Sequence, residues 1–172
     1  MLLKAMAEFS KPCIAAVRGA CIGVANTLLL FFDFVYADNT ATFQMPFVSL
    51  GLSLEGAASL LLVQRAGYHL AADILLSAKK YDALKALKAG IINEVVDNPY
   101  ESATAQAEHL ASLPIASLKA VKKLMKHNID QILKCIDDEA EVVIQRAQSP
   151  EMFEAVSAFI QKRPPDFSQF HS

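Results

Sequence analysis

The chain has 172 residues, enough for one domain with a sizeable core. Its 16 basic and 18 acidic residues nearly balance, so the sequence carries no electrostatic footprint for nucleic acid. The hydrophobic fraction is high at 53%, yet the most apolar run, Thr27–Phe32, is far shorter than the roughly 20 residues that cross a bilayer. We therefore expect no membrane span, and we expect the apolar excess to include a subunit interface.

The three cysteines stand singly, without the spacing of a metal site or of a disulfide framework, which favours a reducing compartment. The four histidines, His69, His109, His127 and His171, are scattered and predict no metal centre. The first residues lack the pattern of a secretory signal, and the final SQFHS is not a peroxisomal address. These features predict a cytoplasmic protein if the chain is bacterial.

The first half of the chain alternates between helix and strand patterns. LLKAMAEF is typical of the end of an amphipathic helix, and Arg18-Gly19 breaks the strand that follows it. The predicted elements are a strand at Cys13–Val17, a helix at Gly23–Phe32, and strands at Phe34–Ala37 and Ala41–Phe43. This alternation predicts an α/β core.

Helices dominate the second half. The predicted helices are Leu54–Val63, Leu70–Ser77, Ala83–Ala89, Tyr100–Ser112, Pro114–His127, Ile129–Ala147 and Pro150–Gln161, with one strand at Ile92–Val96. Ser149 before Pro150 is a strong helix-start signal. The lysines of the fifth helix, Lys119, Lys122, Lys123 and Lys126, predict a solvated face.

Three segments together resemble the crotonase (enoyl-CoA hydratase/isomerase) superfamily. They are KPCIAAVRGACIGVANTLLLFFDFVYADNTATFQMPFVSLGLSLEG, AGIINEVVD and the terminal AFIQKR. The similarity is greatest to the peroxisomal-type Δ3,Δ2-enoyl-CoA isomerase branch. It implies a spiral ββα core with a helical C-terminal portion: residues 1–98 form the C-terminal part of the core, and residues 99–172 form a helical trimerisation portion.

Two departures from the family pattern affect this expectation. The family's N-terminal part, with its first strands, its adenine pocket and one of two oxyanion-hole amides, has no counterpart before LLKAMAEF. The chain is therefore expected to be a fragment, a truncated relative or a chain with a wrongly assigned start. Where many members have a glycine run, this chain has Gly23-Val24-Ala25, and Leu54 replaces the proline of the isomerase motif S-P-E-G.

The resemblance places an oxyanion-hole donor at the backbone amide of Val24, with Gly23 permitting close approach. Amides at a helix N-terminus lack partners and favour negative charge, which suits the enolate oxygen of a thioester. A backbone donor tolerates a side chain, so Val24 is compatible with this role. Seen without the resemblance, Gly23 is simply a turn before a helix.

Glu55 is the one carboxylate in the run TFQMPFVSLGLSLEG. The resemblance assigns the two hydratase glutamates to Thr27 and Phe47, which argues against ordinary hydration. Moving a double bond from Δ3 to Δ2 needs one base, and the isomerase motif places that base at Glu55. The alternative is structural: an acid in the first turn of a helix, with Ser53 as a candidate N-cap.

The resemblance also implies how an acyl-CoA would be held. Ile22, Gly23, Phe47 and Leu50 would line the site, and Phe159 and Lys162 would reach the adenine and phosphate end of CoA, often in a neighbouring subunit. A core Phe and a solvated Lys are the alternative for the last two. We expect no cofactor beyond the CoA of the substrate, and no metal. We also expect self-association as a trimer or hexamer.

The competing functions remain open at this point. Other CoA-thioester chemistry of the superfamily, such as a hydratase or hydrolase, is one alternative. A non-catalytic crotonase-fold module for binding or oligomerisation is another, which would have no need of Glu55.

Overall fold

The computed structural model describes residues 2–170, so His171 lies outside the described residues. Its strands are β1 Ile14–Val17, β2 Ala20–Ile22, β3 Phe34–Ala37, β4 Thr42–Gln44, β5 Tyr81–Asp82 and β6 Glu94–Val95. One sheet has the order β1-β3-β6 and is parallel throughout. The second has the order β2-β4-β5, with β2 and β4 parallel and β5 antiparallel to β4.

The helices are α1 Leu2–Glu8, α2 Val24–Leu28, α3 Ala58–Ala66, α4 Tyr68–Ser77, α5 Ala83–Lys88, α6 Pro99–Ala111, α7 Ile115–Met125, α8 Ile129–Arg146 and α9 Pro150–Ile160. Short 3-10 turns occur at Leu29–Phe31, Val48–Leu50 and Ser168–Phe170. Within residues 2–170, no helix combines the length and apolarity that a membrane crossing needs.

One crossover serves both sheets. β1 and β2 precede α2, and β3 and β4 follow it, so β1 pairs with β3 and β2 pairs with β4 in parallel. Parallel pairs require such a connection because the chain must return to the same end of the sheet. The start of α2 therefore lies directly after the end of β2.

The core gathers apolar side chains from both sheets and from the helices that cover them. Phe43 in β4 and Met45 just after β4 are fully buried together with Leu62 of α3 and Ile74 of α4. Phe43 also stacks on Tyr81 of β5, with ring centroids 5.7 Å apart. Among the C-terminal helices, α6 packs on β1 and β3, α8 packs on α1 and α3, and α9 packs on the 3-10 turn Val48–Leu50.

The predicted alternation of strands and helices is confirmed, and two details of it are wrong. The strands β2 and β5 were not predicted, because segments of three and two residues are too short to show a period. The helix predicted from Leu54 begins instead at Ala58. Gly56 and Ala57 adopt left-handed backbone angles, with φ of 76° and 53°, and no helix can continue through them.

The expected solvated lysine face is wrong for Lys122. This side chain is only 5% exposed, and its Nζ lies 2.6 Å from Asp33 Oδ2 and donates to Lys11 O at 2.7 Å. Asp33 also accepts from the backbone amide of Cys13 at 2.7 Å. The ion pair joins α7 to the turn before β3. A lysine can bury its apolar stem, so a pattern of charged residues along a helix does not show which lysine is buried.

Replacing Lys122 by Met should destabilise the fold by about 3 kcal/mol, because Asp33 would keep a largely buried charge without its cation. The free energy of unfolding, measured by urea denaturation, tests this. Lys123→Met is the matched control, since Lys123 is exposed on the same helix. Equal losses for the two variants would contradict a structural role for the pair.

Candidate functional site

Glu55 lies on the loop between the 3-10 turn Val48–Leu50 and α3, and it is half-buried. The left-handed turn at Gly56 and Ala57 separates it from the helix, which begins only at Ala58. Glu55 is therefore not in the first turn of a helix, and the helix-start interpretation is wrong. The carboxylate is held by another part of the chain.

That partner is Thr27 on α2. Its hydroxyl Oγ1 donates to Glu55 Oε1 at 3.0 Å, and the side chain is 0% exposed. The close approach depends on Gly56, where a Cβ would come within 3.3 Å of Thr27 Cβ. Sequence reasoning treated Thr27 only as the position of a missing glutamate. The structure instead makes it the group that orients the remaining acid.

The Thr27 hydroxyl can satisfy Glu55 in both of its protonation states. Its oxygen also lies 3.2 Å from the carbonyl oxygen of Val24, and a hydroxyl has one hydrogen to donate. When Glu55 is ionised, Thr27 donates to it. When Glu55 is protonated, the acid can donate to Thr27, whose hydrogen then turns to the Val24 carbonyl.

The surroundings favour the protonated form of Glu55. Burial raises the pKa of this carboxyl, the hydrogen bond from Thr27 lowers it, and the nearby charge of Glu139 raises it, with burial the largest of the three effects. The net result is a pKa above the ordinary glutamate value. An acid tuned in this direction is better suited to accepting and returning a proton near neutral pH.

The start of α2 lies beside this acid. Gly23 has φ 61°, a conformation that suits glycine, and its own N–H donates to Gln44 O at 2.9 Å. The carbonyl of Gly23 accepts from Asn26 and Thr27, so the amides of Val24 and Ala25 have no partner within the helix. Val24 is 45% exposed. The role of its amide as oxyanion donor stays a prediction.

A second polar anchor of α2 was missed by the sequence reasoning. Asn26 is fully buried, and its Nδ2 donates to the hydroxyl of Tyr81 at 2.8 Å, which ties α2 to β5. Burial raises the pKa of Tyr81, so its hydroxyl stays neutral. The sequence does not reveal this hydrogen bond, because Tyr81 lies 55 residues further along the chain than Asn26.

The remaining candidate residues divide into two groups. Ile22 pairs with Gln44 at the end of β2, next to Gly23, while Phe47 and Leu50 lie in the segment that forms the 3-10 turn. Phe159 lies in the last turn of α9 and Lys162 lies two residues after the end of this helix, and both are exposed. Among residues 2–170, no side-chain hydrogen bond joins these two to Glu55 or Thr27.

Phe159 is 84% exposed, so the alternative of a core phenylalanine is wrong. Lys162 is exposed as well, which leaves it able to meet a negatively charged partner or simply water. Their contact with CoA stays a prediction. α9 itself packs on the 3-10 turn that carries Leu50, so the two groups are linked through one helix.

A cavity of about 420 Å³ lies away from Glu55. Its polar lining includes Asp33, Lys122 and Lys126, and none of the candidate site residues borders it. This cavity is therefore separate from the candidate site. In the part of the chain that the structure describes, no three His, Cys, Asp or Glu side chains are grouped to hold a metal ion.

Comparison with known proteins places the chain in a family. The family model described as Enoyl-CoA hydratase/isomerase matches residues 1–170. The chain belongs to the enoyl-CoA hydratase/isomerase family, as the resemblance predicted, and the expected crotonase-like fold is confirmed.

Individual relatives carry different activities in their names. Enoyl-CoA delta isomerase 2 of Rattus norvegicus is 34% identical over 161 residues, which cover 91% of this chain and 41% of the relative. The 2,3-dehydroadipyl-CoA hydratase of Escherichia coli strain K12 is 32% identical, over 92% of this chain and 64% of that protein. A crystal structure of a family member from Acinetobacter baumannii is 60% identical, with a TM-score of 0.88, over 89% of this chain and 65% of that one. This chain thus spans less than two thirds of the length of each.

Replacing Thr27 by Val should raise the pKa of Glu55, because it removes the hydrogen bond that stabilises the ionised form while the effect of burial remains. The pKa can be measured from the side-chain carboxyl resonance by ¹³C NMR, assigned as the signal that is absent from Glu55→Gln. Thr42→Val, at an exposed position of β4, is the control. A fall in the Glu55 pKa, or equal shifts in both variants, would contradict this assignment.

Proposed function

We propose that this chain carries the reacting centre of an enoyl-CoA isomerase, which moves a double bond from Δ3 to Δ2 of an enoyl-CoA. The observation that carries the proposal is the half-buried carboxylate of Glu55, oriented by Thr27 and placed beside the free amides of α2. Its raised pKa is compatible with a group that must be a base in one step and an acid in the next.

The chemistry divides into two proton transfers. Ionised Glu55 removes a proton from C2 of the 3-enoyl thioester, and the electron pair delocalises through the double bond and onto the thioester oxygen. The Val24 amide, one of the unpaired donors of α2, stabilises the negative oxygen. Glu55 then delivers the same proton to C4, and the double bond forms between C2 and C3.

Thr27 supports both steps without moving. Its hydroxyl donates to ionised Glu55 before the first transfer, and it can accept from protonated Glu55 and donate to Val24 O after it. The acid therefore keeps a hydrogen-bond partner throughout the cycle. Because the partner changes only the direction of its hydrogen, little reorganisation is needed between the two steps.

Hydration is the second candidate, because the Escherichia coli relative is named as a hydratase. Two carboxylates flanking one water would be required, and the positions that the resemblance assigns to them are Thr27 and Phe47. A threonine hydroxyl and a phenyl ring cannot act as carboxylate acid or base. Glu55 alone suits the isomerisation better.

The proposal extends to the rest of the ligand and to assembly. Ile22, Gly23, Phe47 and Leu50 are proposed to line the acyl-thioester site, and Phe159 and Lys162 to meet the adenine and phosphate end of CoA. No further cofactor is proposed. Self-association as a trimer or hexamer through the portion from residue 99 onward is also proposed, because large apolar side chains of α7 and α9 are exposed.

The first experiment is to incubate the protein with 3-hexenoyl-CoA and follow the conjugated 2-enoyl thioester by ultraviolet absorbance. Glu55→Gln should lower kcat/KM by about 10²- to 10⁴-fold, since it removes the proton carrier and nearly preserves its shape. Glu141→Gln is the matched control, because Glu141 is an exposed acid of α8.

Three outcomes would count against the isomerase. Turnover that survives Glu55→Gln would move the chemistry to another group. Addition of water to a 2-enoyl-CoA without any isomerisation would identify a hydratase. Folded protein that binds a saturated acyl-CoA and turns over no enoyl-CoA would favour the non-catalytic module.

Replacing Phe159 by Ala should raise KM for the enoyl-CoA with little change in kcat, because the ring is proposed to contact the carrier and not the reacting carbons. The free energy of unfolding should hardly change, since the ring is 84% exposed. Phe153→Ala is the control, as Phe153 is also exposed on α9. Steady-state kinetics and urea denaturation give the two values. An unchanged KM would remove Phe159 from the proposed CoA site.

A further inference from the structure

Helix α8 contributes a buried carboxylate to the start of α3, next to the loop that carries Glu55. Glu139 of α8 is only 7% exposed. Its Oε1 accepts two hydrogen bonds from Ser59, one from the backbone amide at 2.9 Å and one from the hydroxyl at 2.6 Å. The same oxygen lies 3.7 Å from the thiol sulfur of Cys135, one turn earlier on α8.

These bonds replace a cap that α3 does not have. The residue before α3 is Ala57, whose side chain cannot accept a hydrogen bond from the first amides of the helix. Glu139 supplies the acceptor from α8 and adds negative charge at the positive end of α3. The start of α3, and with it the loop that ends in Glu55, Gly56 and Ala57, is held by this contact.

One half of the Glu139 carboxylate is unexplained by this structural role. Its second oxygen, Oε2, is buried and has no hydrogen-bond partner among the residues from 2 to 170. A buried acceptor without a partner costs free energy, so the capping role of Oε1 leaves the position of Oε2 unexplained. The Ser59 bonds need only one oxygen, and an amide would provide it.

Among residues 2–170, no cation forms an ion pair with Glu139 or with Glu55. Thr27 of α2 donates a hydrogen bond to Glu55, which lowers the pKa of Glu55, while burial and the charge of Glu139 on α8 raise it. Three cations of α1 and α8 are paired with other acids: Lys4 with Asp137, Lys134 with Asp138, and Arg146 with Glu151. Arg65 of α3 donates to the carbonyl of Leu30. Glu139 therefore remains an unneutralised neighbour.

We propose that Glu139 is a positioning residue for Glu55, held by Ser59 at the start of α3 so that its unneutralised carboxylate lies beside the catalytic loop. The like charge makes the ionised form of Glu55 more basic, which favours removal of the substrate proton. This inference rests on the proposed function, because only a proton-carrying Glu55 benefits from such a neighbour.

Glu139→Gln tests it, because glutamine can still accept both Ser59 bonds through its amide oxygen but carries no charge. The titration midpoint of Glu55, followed by ¹³C NMR, should fall to lower pH, since a like charge has been removed. The acid limb of the kcat/KM profile should move in the same direction. Glu141→Gln, two residues further along α8, should leave both unchanged.

A second variant keeps the test independent of how well Glu139→Gln folds. Cys135→Lys would bring an ammonium beside Glu139 from one turn away, and would leave both Ser59 bonds to Glu139 in place. It should lower the Glu55 midpoint as Glu139→Gln does. A midpoint that stays in place in both variants, or that moves as far in Glu141→Gln, would overturn the proposal.

The two readouts separate this inference from the proposed function, because the NMR titration needs no turnover. If the Glu55 midpoint falls in Glu139→Gln while Glu55→Gln retains full activity, the coupling between the two acids stands and the isomerase is rejected. If the Glu55 midpoint does not move in Glu139→Gln or Cys135→Lys while Glu55→Gln is inactive, only the role of Glu139 is rejected.

Discussion

The hydrogen bond from Thr27 to Glu55 joins α2 to a loop 28 residues further along the chain, and the geometry of the site follows from it. Thr27 has no exposed surface, so its hydroxyl must find a protein partner, and Gly56 leaves the space for the loop to reach it. This contact holds the carboxylate of Glu55 against α2, the short helix whose first amides, Val24 and Ala25, have no partner within the helix. The proposed base and the proposed oxyanion donor are thus joined through one buried hydroxyl.

Three acids with little or partial exposure differ in their electrostatic surroundings. Asp33 is paired with Lys122 and accepts a backbone amide, so its charge stabilises the join between α7 and β3. Glu139 is more deeply buried than Asp33 and Glu55 is half-buried, yet no cation pairs with either among the described residues. Stability alone would favour pairing or replacing such groups. The unpaired acids are therefore where a functional explanation is needed.

The sequence predicted the class of fold because the alternation of strands and helices and the family motifs are local. It also singled out Glu55, since an isolated acid in an apolar run is visible by inspection. It could not reveal the partners. Thr27 and Asn26 are adjacent polar residues in a short helix, and Ser59 meets Glu139 across 80 positions, so their hydrogen bonds exist only after the chain has folded. The helix predicted at Leu54 was wrong because Ala57 adopts an uncommon left-handed conformation that no alanine signals.

The apolar excess of the composition has a specific location in the structure. Residues such as Phe43 and Leu62 are buried as a core requires, but Leu124 and Met125 of α7, and Phe159 and Ile160 of α9, leave most of their surface in contact with solvent. Exposed side chains of this size are unfavourable unless another surface covers them. Because α9 packs on the 3-10 turn that carries Leu50, any surface that covers α9 would also restrain one wall of the proposed acyl-thioester site. Under the proposed function, assembly and substrate binding would then be coupled through the same helix, and Phe159 would affect KM more than folding.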